Sequence, residues 1–156
     1  SDQAAYHAWL GWAVYQAEGP SALPRVVAAL RQACDVDPES PEGNRWLGEV
    51  LLANGDRSGA RVHLERALAR GPERALVALL AQIHVDAGEP AQAEKLYMRV
   101  ITALGEREPR TRAELWRDLA GVLRGSLADE AAAATAEATA SELERGSSEG
   151  HQGTER

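Results

Sequence analysis

Residues 41–74 read PEGNRWLGEVLLANGDRSGARVHLERALARGPER, and this stretch decides the fold. Apolar residues recur in it at intervals of three and four, a spacing that places a stripe on one face of a helix. Gly55 suits the left-handed residue that ends a helix, and Asp56 suits the N-cap of the next one. Pro41 after Ser40 is favourable at a first helical position. The stretch therefore predicts two helices, 41–53 and 57–70, joined by a tight turn.

The same order of residue types occurs again on both sides of this stretch. Upstream it appears as Leu10-Gly11, a Gly19-Pro20-Ser21 turn, Leu30 and Pro38, with three extra residues in the turn. Downstream it appears as Leu80-Ala81, a turn at Gly88, Ala93 and Tyr97, and a degenerate fourth copy starts at Trp116. Repetition at about 34 residues indicates an array of stacked helical hairpins.

This pattern resembles the tetratricopeptide repeat, a helix with W-x2-L-G-x2-Y, a tight turn, and a second helix with A-x3-F before a proline. Residues 41–72 match the pattern best, and the second helix of the last copy lacks the bulky residue. The resemblance implies an all-α solenoid of helical hairpins, wound as a right-handed superhelix with about eight helices. Leu10, Leu47 and Leu64 are expected in the core, beside the small Gly48.

We expect one repeat domain over residues 1–145, followed by a tail. The helices are predicted at 3–17, 22–36, 41–53, 57–70, 73–87, 90–104, 110–124 and 127–145, in repeats of about 4–40, 41–73, 74–106 and 110–145. Ser126 and Asp129 are interpreted as a capping box for the last helix. Residues 146–156 have no apolar side chain to bury and are predicted to be disordered.

Composition and charge exclude several classes of function. The net charge is −7 and the pI about 5.1, which disfavours nucleic-acid binding because that depends on Lys and Arg. No apolar run approaches the ~20 residues that insert into a membrane. The chain shows no signal peptide, which predicts the cytoplasm, and its start at Ser1 suggests a piece of a larger protein. Abundant arginine with a single lysine, Lys95, suggests a bacterial genome rich in GC.

No motif in the chain indicates catalysis. The four histidines, His7, His63, His84 and His151, form no HExxH or paired-ligand pattern, and neither GxSxG nor a phosphate-binding loop is present. The one cysteine, Cys34, excludes an internal disulfide and has no base placed to activate it. We therefore predict no enzymatic activity, no metal and no cofactor.

The resemblance implies that the first helix of each hairpin lines a concave groove that binds the partner. The groove residues predicted on that basis are Trp9, Trp12, Tyr15, Gln16, Arg45, Trp46, Glu49, Leu52, Gln82, Asp86 and Arg117. Trp12 and Arg45 are expected to point away from the core between helices. An alternative reading of Trp9 and Trp46 is that they only pack between neighbouring first helices, since tryptophan is mostly buried.

The clamp by which some tetratricopeptide proteins hold the C-terminal carboxylate of chaperones is absent. The matching positions carry Ala8, Trp12, Trp46, Ala75 and Leu79 in place of Lys, Asn and Arg. The sequence therefore predicts a protein-interaction module that binds a protein or peptide segment with apolar side chains. The alternative is a structural module that associates with its own copy, a homo-oligomer, or with a neighbouring domain.

Overall fold

The computed structural model describes the backbone of residues 2–152 and the side chains of residues 6–147. All regular elements in this part of the chain are helical. They are α1 (Asp2–Glu18), a 3-10 turn (Gly19–Ala22), α2 (Leu23–Val36), α3 (Pro41–Ala53), α4 (Arg57–Arg70), α5 (Arg74–Asp86), α6 (Pro90–Leu104), α7 (Pro109–Ser126) and α8 (Glu130–Gln152). The predicted fold class, all-α helical hairpins with about eight helices, is confirmed.

The hairpin of α3 and α4 has the ends that its sequence predicts. The Ser40 hydroxyl accepts a hydrogen bond of 3.1 Å from the Gly43 N–H, and Asp56 accepts one of 2.8 Å from the Gly59 N–H. Gly55 has a φ of +84°, a left-handed conformation that most residues avoid. Both helices consequently begin and end at the predicted residues, because caps and turns act over three or four neighbouring residues.

The C-terminal end differs from the prediction. α8 continues to Gln152, through seven residues that were predicted to belong to a disordered tail, and residues 153–156 lie outside the described part. A helix that is already formed gains one hydrogen bond for each residue it adds, so extension needs no apolar contact. The predicted capping box is also wrong. Ser126 ends α7, and Asp129 itself caps α8 by accepting from the Ala132 N–H at 2.9 Å.

The chain divides into two compact units, residues 1–76 and 77–156. In the first unit, α3 packs against α1, α2 and α4. Its core includes Leu47 and Leu64, both fully buried. Gly48 lies where α3 crosses α4, and a Cβ built on it would stand 2.6 Å from the Leu64 Cγ. The absence of a side chain at Gly48 is therefore what lets these two helices approach.

Leu10 does not occupy the core position that the repeat pattern predicts. Its side chain is 40% exposed, whereas its counterpart Leu47 in the second hairpin is 0% exposed. α3 has neighbours before and after it in the chain, α2 and α4, while α1 packs against α2 and α3, which both follow it. One side of α1 is consequently left uncovered within the unit.

The second unit contains α6, α7, α8 and most of α5. α8 presents alanines to its interior, and Ala133, Ala136 and Ala140 are buried at helical spacing. Such small side chains let α8 lie close against α7. Two arginines of α7 also bond to α8: Arg117 donates to Glu144 through both terminal guanidinium nitrogens, and Arg124 donates to Glu130 and Glu137.

Candidate functional site

Three of the predicted groove residues form one cluster of rings in the first unit. The rings of Trp12 and Trp46 stack with centroids 6.2 Å apart and planes 6° from parallel, joining α1 to α3. The Tyr15 ring lies 5.8 Å from that of Trp12, one turn further along α1. All three side chains are partly exposed. We name Tyr15, Trp12 and Trp46 the aromatic row.

The stack corrects one expectation about Trp12. Its side chain was expected to point away from the packing between helices, but it carries part of the contact between α1 and α3. A stacked aromatic pair contributes about 0.5–1.5 kcal/mol beyond its buried area, so removing Trp12 destabilises the unit by an amount of that order. For Trp46, the packing between neighbouring first helices that was considered as an alternative is present, together with partial exposure.

Trp9 lies apart from this cluster. Its side chain is 59% exposed, and the ring contacts among residues 6–147 do not join it to Trp12 or Trp46. Gln16 is exposed near the end of α1, and Leu52 is partly exposed on α3. The repeat pattern treats Trp9 and Trp46 as equivalent, but the structure surrounds them differently.

A cavity of about 210 Å³ adjoins Trp46. Its walls come from α3, the end of α4 and the start of α5: Pro41, Glu42, Arg45, Trp46, Ala67, Arg70, Gly71, Glu73 and Leu76. We name it the Trp46 cavity. Glu42, Arg70, Glu73 and Leu76 were not predicted as groove residues. Arg70 and Glu73 lie on no first helix, and Glu42 and Leu76 lie in the first turns of α3 and α5, ahead of the predicted groove positions.

Arg45 is held by two carboxylates at the edge of this cavity. Its Nε donates to Glu49 at 2.9 Å and its Nη1 donates to Glu73 at 2.6 Å. The hydrogen bond that Arg45 donates to Glu49 raises the pKa of Arg45, and the charges of Glu49 and Glu73 act in the same direction. Arg70 donates to Glu39 at 2.6 Å. Both arginines of the cavity are therefore engaged within the unit.

The remaining predicted residues lie in the second unit. Gln82 and Arg117 line a cleft of about 400 Å³, whose other walls are Ala78, Ala81, Val85, Tyr97, Asp118, Gly121, Val122 and Ser126. Asp86, one turn beyond Gln82 on α5, accepts a hydrogen bond of 2.6 Å from the Gln82 amide. The structure thus brings Gln82, Asp86 and Arg117 together as a surface of the second unit.

The buried side chain of Asn44 on α3 is the hydrogen-bond partner of one histidine, His63. The Asn44 amide nitrogen donates to the carbonyl oxygens of Pro38, at 2.9 Å, and Ser40, at 2.8 Å. Its oxygen lies 2.9 Å from the Nδ1 of His63, so the neutral ring carries its proton on Nδ1 and donates it. Burial lowers the pKa of His63, and the charges of Arg66 and Arg31 lower it further.

This lowered pKa predicts an acid-dependent loss of stability. The unfolded chain takes up the proton near the ordinary histidine pKa of about 6.5, while folded His63 takes it up only at lower pH. The unfolded state therefore binds more protons in that window, and the free energy of unfolding falls as the pH drops below about 6.5. One proton limits the slope to about 1.4 kcal/mol per pH unit. Urea unfolding between pH 8 and pH 5 measures it.

The matched control is His63→Gln, whose amide can still donate to Asn44 but does not titrate. The difference in stability between wild type and variant should change over this window, since the other histidines contribute equally to both. Parallel pH profiles would show that His63 titrates alike in the folded and unfolded states.

The described residues offer neither a reactive thiol nor a cluster of metal-ligating side chains. Cys34 is buried, and burial followed by the charge of Asp35 raises the pKa of its thiol, which keeps it protonated. Residues within the described part form no group of three or more His, Cys, Asp or Glu side chains able to hold a metal ion. The helices described there include none long and apolar enough to cross a membrane.

Comparisons with known proteins agree with the helical-repeat fold. The family profile of the tetratricopeptide repeat matches residues 22–83 and 51–113. Two crystal structures of MamA superpose with TM-scores of 0.69 and 0.70 at 18% identity, covering 94% of this chain and 81% and 76% of theirs. A third MamA structure, MamA MSR-1 C2, gives a TM-score of 0.62 at 20% identity, with 90% and 76% covered. At such identity the likeness shows the fold alone. No curated protein matches the chain.

Proposed function

The chain belongs to the tetratricopeptide repeat family, whose members are non-catalytic scaffolds for protein interaction, and from this premise we propose that it binds a protein or peptide segment. The aromatic row of the first unit is the binding surface in this proposal. The chain itself then performs no catalysis, and Gln82, Asp86 and Arg117 provide a further contact surface in the second unit. A bacterial source and a cytoplasmic location stay predictions.

The observation that carries this proposal is the partial exposure of three neighbouring rings. Trp12 stacks on Trp46, and the Tyr15 ring lies tilted by 34° against that of Trp12, so the conformations of the three rings are already restricted before a ligand arrives. Rigid aromatic side chains lose little entropy on binding and dominate the energetics of protein interfaces. Apolar side chains of a partner segment would cover the exposed part of these rings.

Loss of Trp12 or Tyr15 should weaken binding strongly. For peptides selected on the wild-type protein from a random library, Trp12→Ala and Tyr15→Ala should each cost roughly 2 kcal/mol, about thirtyfold in Kd. Calorimetric titration measures the effect. Melting curves must accompany it, because Trp12→Ala also removes a stack on Trp46.

Arg61→Ala is the control, since Arg61 is exposed on α4 and lines neither the aromatic row nor the Trp46 cavity. It should leave the Kd unchanged. Selected peptides that bind both aromatic variants as tightly as the wild type would refute the aromatic row as the binding surface.

A second candidate function, self-association, is favoured by one observation on α1. Tyr6 and Trp9 are each 59% exposed and Leu10 is 40% exposed, at helical spacing on the uncovered side of that helix. Exposed apolar patches on a helix mark sites of protein contact. A mass that rises with protein concentration, and that Trp9→Ala keeps monomeric, would identify this function; a constant monomeric mass favours the peptide module.

A further inference from the structure

We propose that the Trp46 cavity receives a cationic side chain, an arginine or lysine of the partner segment, next to the apolar residue that covers the aromatic row. This inference rests on the proposed function and specifies the chemistry of the partner. It follows from the volume of the cavity, from the pairing of its charged side chains, and from the tryptophan in its wall.

The volume suits the head of one long side chain. An apolar cavity of about 150 Å³ is large enough to hold a benzene ring. The Trp46 cavity, at about 210 Å³, therefore has room for a guanidinium or ammonium group together with part of its methylene stem. Ala67 and Leu76 offer apolar surface to that stem, since Lys and Arg bury their methylenes along such surface while the charged head meets polar groups.

The arginines of the cavity already have carboxylate partners. Its lining holds the carboxylates of Glu42 and Glu73, and Glu49 and Glu39 bond to its two arginines. The lining itself carries two carboxylates and two guanidinium groups, and both guanidinium groups are bonded to carboxylates. Within residues 6–147, Glu42 makes no ion pair of its own. A cation that enters the cavity therefore finds an acceptor that is not already engaged.

The same contacts disfavour an anionic ligand. Arg45 already donates to Glu49 and Glu73, so a partner carboxylate could bind it only by displacing one of them. Arg45 accordingly acts as a positioning residue that holds Glu73 at the edge of the cavity. This role differs from the direct partner contact that the sequence analysis assigned to it.

The third feature of the cavity is Trp46 in its wall. The indole of Trp46 belongs both to the cavity wall and to the stack with Trp12, so the two surfaces are continuous. Tryptophan is the aromatic side chain that attracts a cation most strongly, because the face of its ring is negative. A segment with an apolar residue beside a basic one would use the row and the cavity together.

Small probes can test this on the full chain by two-dimensional NMR. The cationic probes are the N-methylamides of Nα-acetyl-arginine and Nα-acetyl-lysine, for which we expect dissociation constants in the millimolar range. The matched neutral probe is the lysine derivative acetylated on its side chain, and the anionic probe is Nα-acetyl-glutamate N-methylamide. Saturable shifts of the Trp46 indole N–H and the Glu42 and Glu73 amides are expected with the cationic probes alone.

Substitutions then assign the binding to the cavity. Glu42→Gln keeps the shape of the side chain and should weaken the cationic probes about fivefold. Glu65→Gln is the control, because Glu65 is exposed on α4 and does not line the cavity, and it should change nothing. Equal shifts with the neutral lysine derivative, or unchanged binding by the Glu42→Gln variant, would overturn the proposal.

A fifth probe, Nα-acetyl-tryptophan amide, separates this inference from the proposed function. Shifts at Trp12 and Tyr15 with that probe, but none at Glu42 with the cations, would retain the aromatic row and overturn the cationic cavity. Cation binding at Glu42 and Trp46, without any shift at Trp12 or Tyr15 from Nα-acetyl-tryptophan amide, would support the cavity and count against the row. If no probe shifts any resonance, the result would count against both the aromatic row and the cationic cavity.

Discussion

Replacing Gly48 by leucine should destabilise the first unit by more than about 3 kcal/mol. A Cβ at this position would already lie 2.6 Å from the Leu64 Cγ, 2.7 Å from its Cδ2 and 3.2 Å from the Ala60 carbonyl oxygen. A leucine adds three further carbons to a crossing that has no room for the first. Overpacking a core usually costs about 1–3 kcal/mol, and a clash that includes backbone exceeds this range. Urea unfolding followed by circular dichroism measures the loss.

Gly121→Leu is the matched control for this prediction. Gly121 also lies inside a helix, α7, but a Cβ built on it meets nothing within 4 Å. The same exchange should there be neutral or stabilising, since glycine in a helix costs about 1 kcal/mol relative to other residues. Equal melting temperatures for Gly48→Leu and wild type would mean that α3 and α4 do not cross at Gly48.

Shortening Leu64, on the other side of this crossing, should have the second large effect on the free energy of unfolding. Leu64 is 0% exposed, and its side chain fills the space that the absent side chain of Gly48 leaves. Leu64→Ala should therefore cost about 2–5 kcal/mol, which combines lost burial with the cavity left behind. Chemical unfolding of the variant measures it, and Val62→Ala, on an exposed position of the same helix, should cost far less.

The two sites should also be coupled. Gly48→Ala alone is expected to destabilise, whereas in the Leu64→Ala background the new methyl group enters the vacated space and should be neutral or stabilising. Residues in direct contact show coupling energies of about 0.5–3 kcal/mol in such a cycle. Strictly additive effects would contradict the contact between these two residues.

Part of this protein follows from the sequence because the forces involved act between close neighbours along the chain. The ends of α3 and α4 depend on Ser40, Gly55 and Asp56, each of which acts within three or four residues. The burial of Leu47 and Leu64 follows from helical spacing and from repetition of the pattern. The family and the all-helical fold class were predictable for the same reason.

The candidate site depends on residues that the chain brings together from a distance. Trp12 and Trp46 are both in the predicted groove, but no short-range rule predicts that their rings stack. Glu73 lies 28 residues from Arg45, and the Trp46 cavity exists only once α3, α4 and α5 are in place. These side-chain contacts form only in the folded protein. Helical periodicity shows which residues share one face of a helix, but not which residues of another helix pack against that face.

The sequence by itself thus determined where α3 and α4 begin and end, which residues repeat, and which leucines of the second hairpin are buried. Only the tertiary structure decided that Leu10 is exposed while Leu47 is buried, because burial depends on the neighbours of a helix and α1 lacks a covering helix on that side within its unit. It also decided that Arg45 bonds to Glu73, 28 residues away, in addition to Glu49 one turn along its own helix. An ion pair between distant residues forms only where packing has already placed both groups within bonding distance.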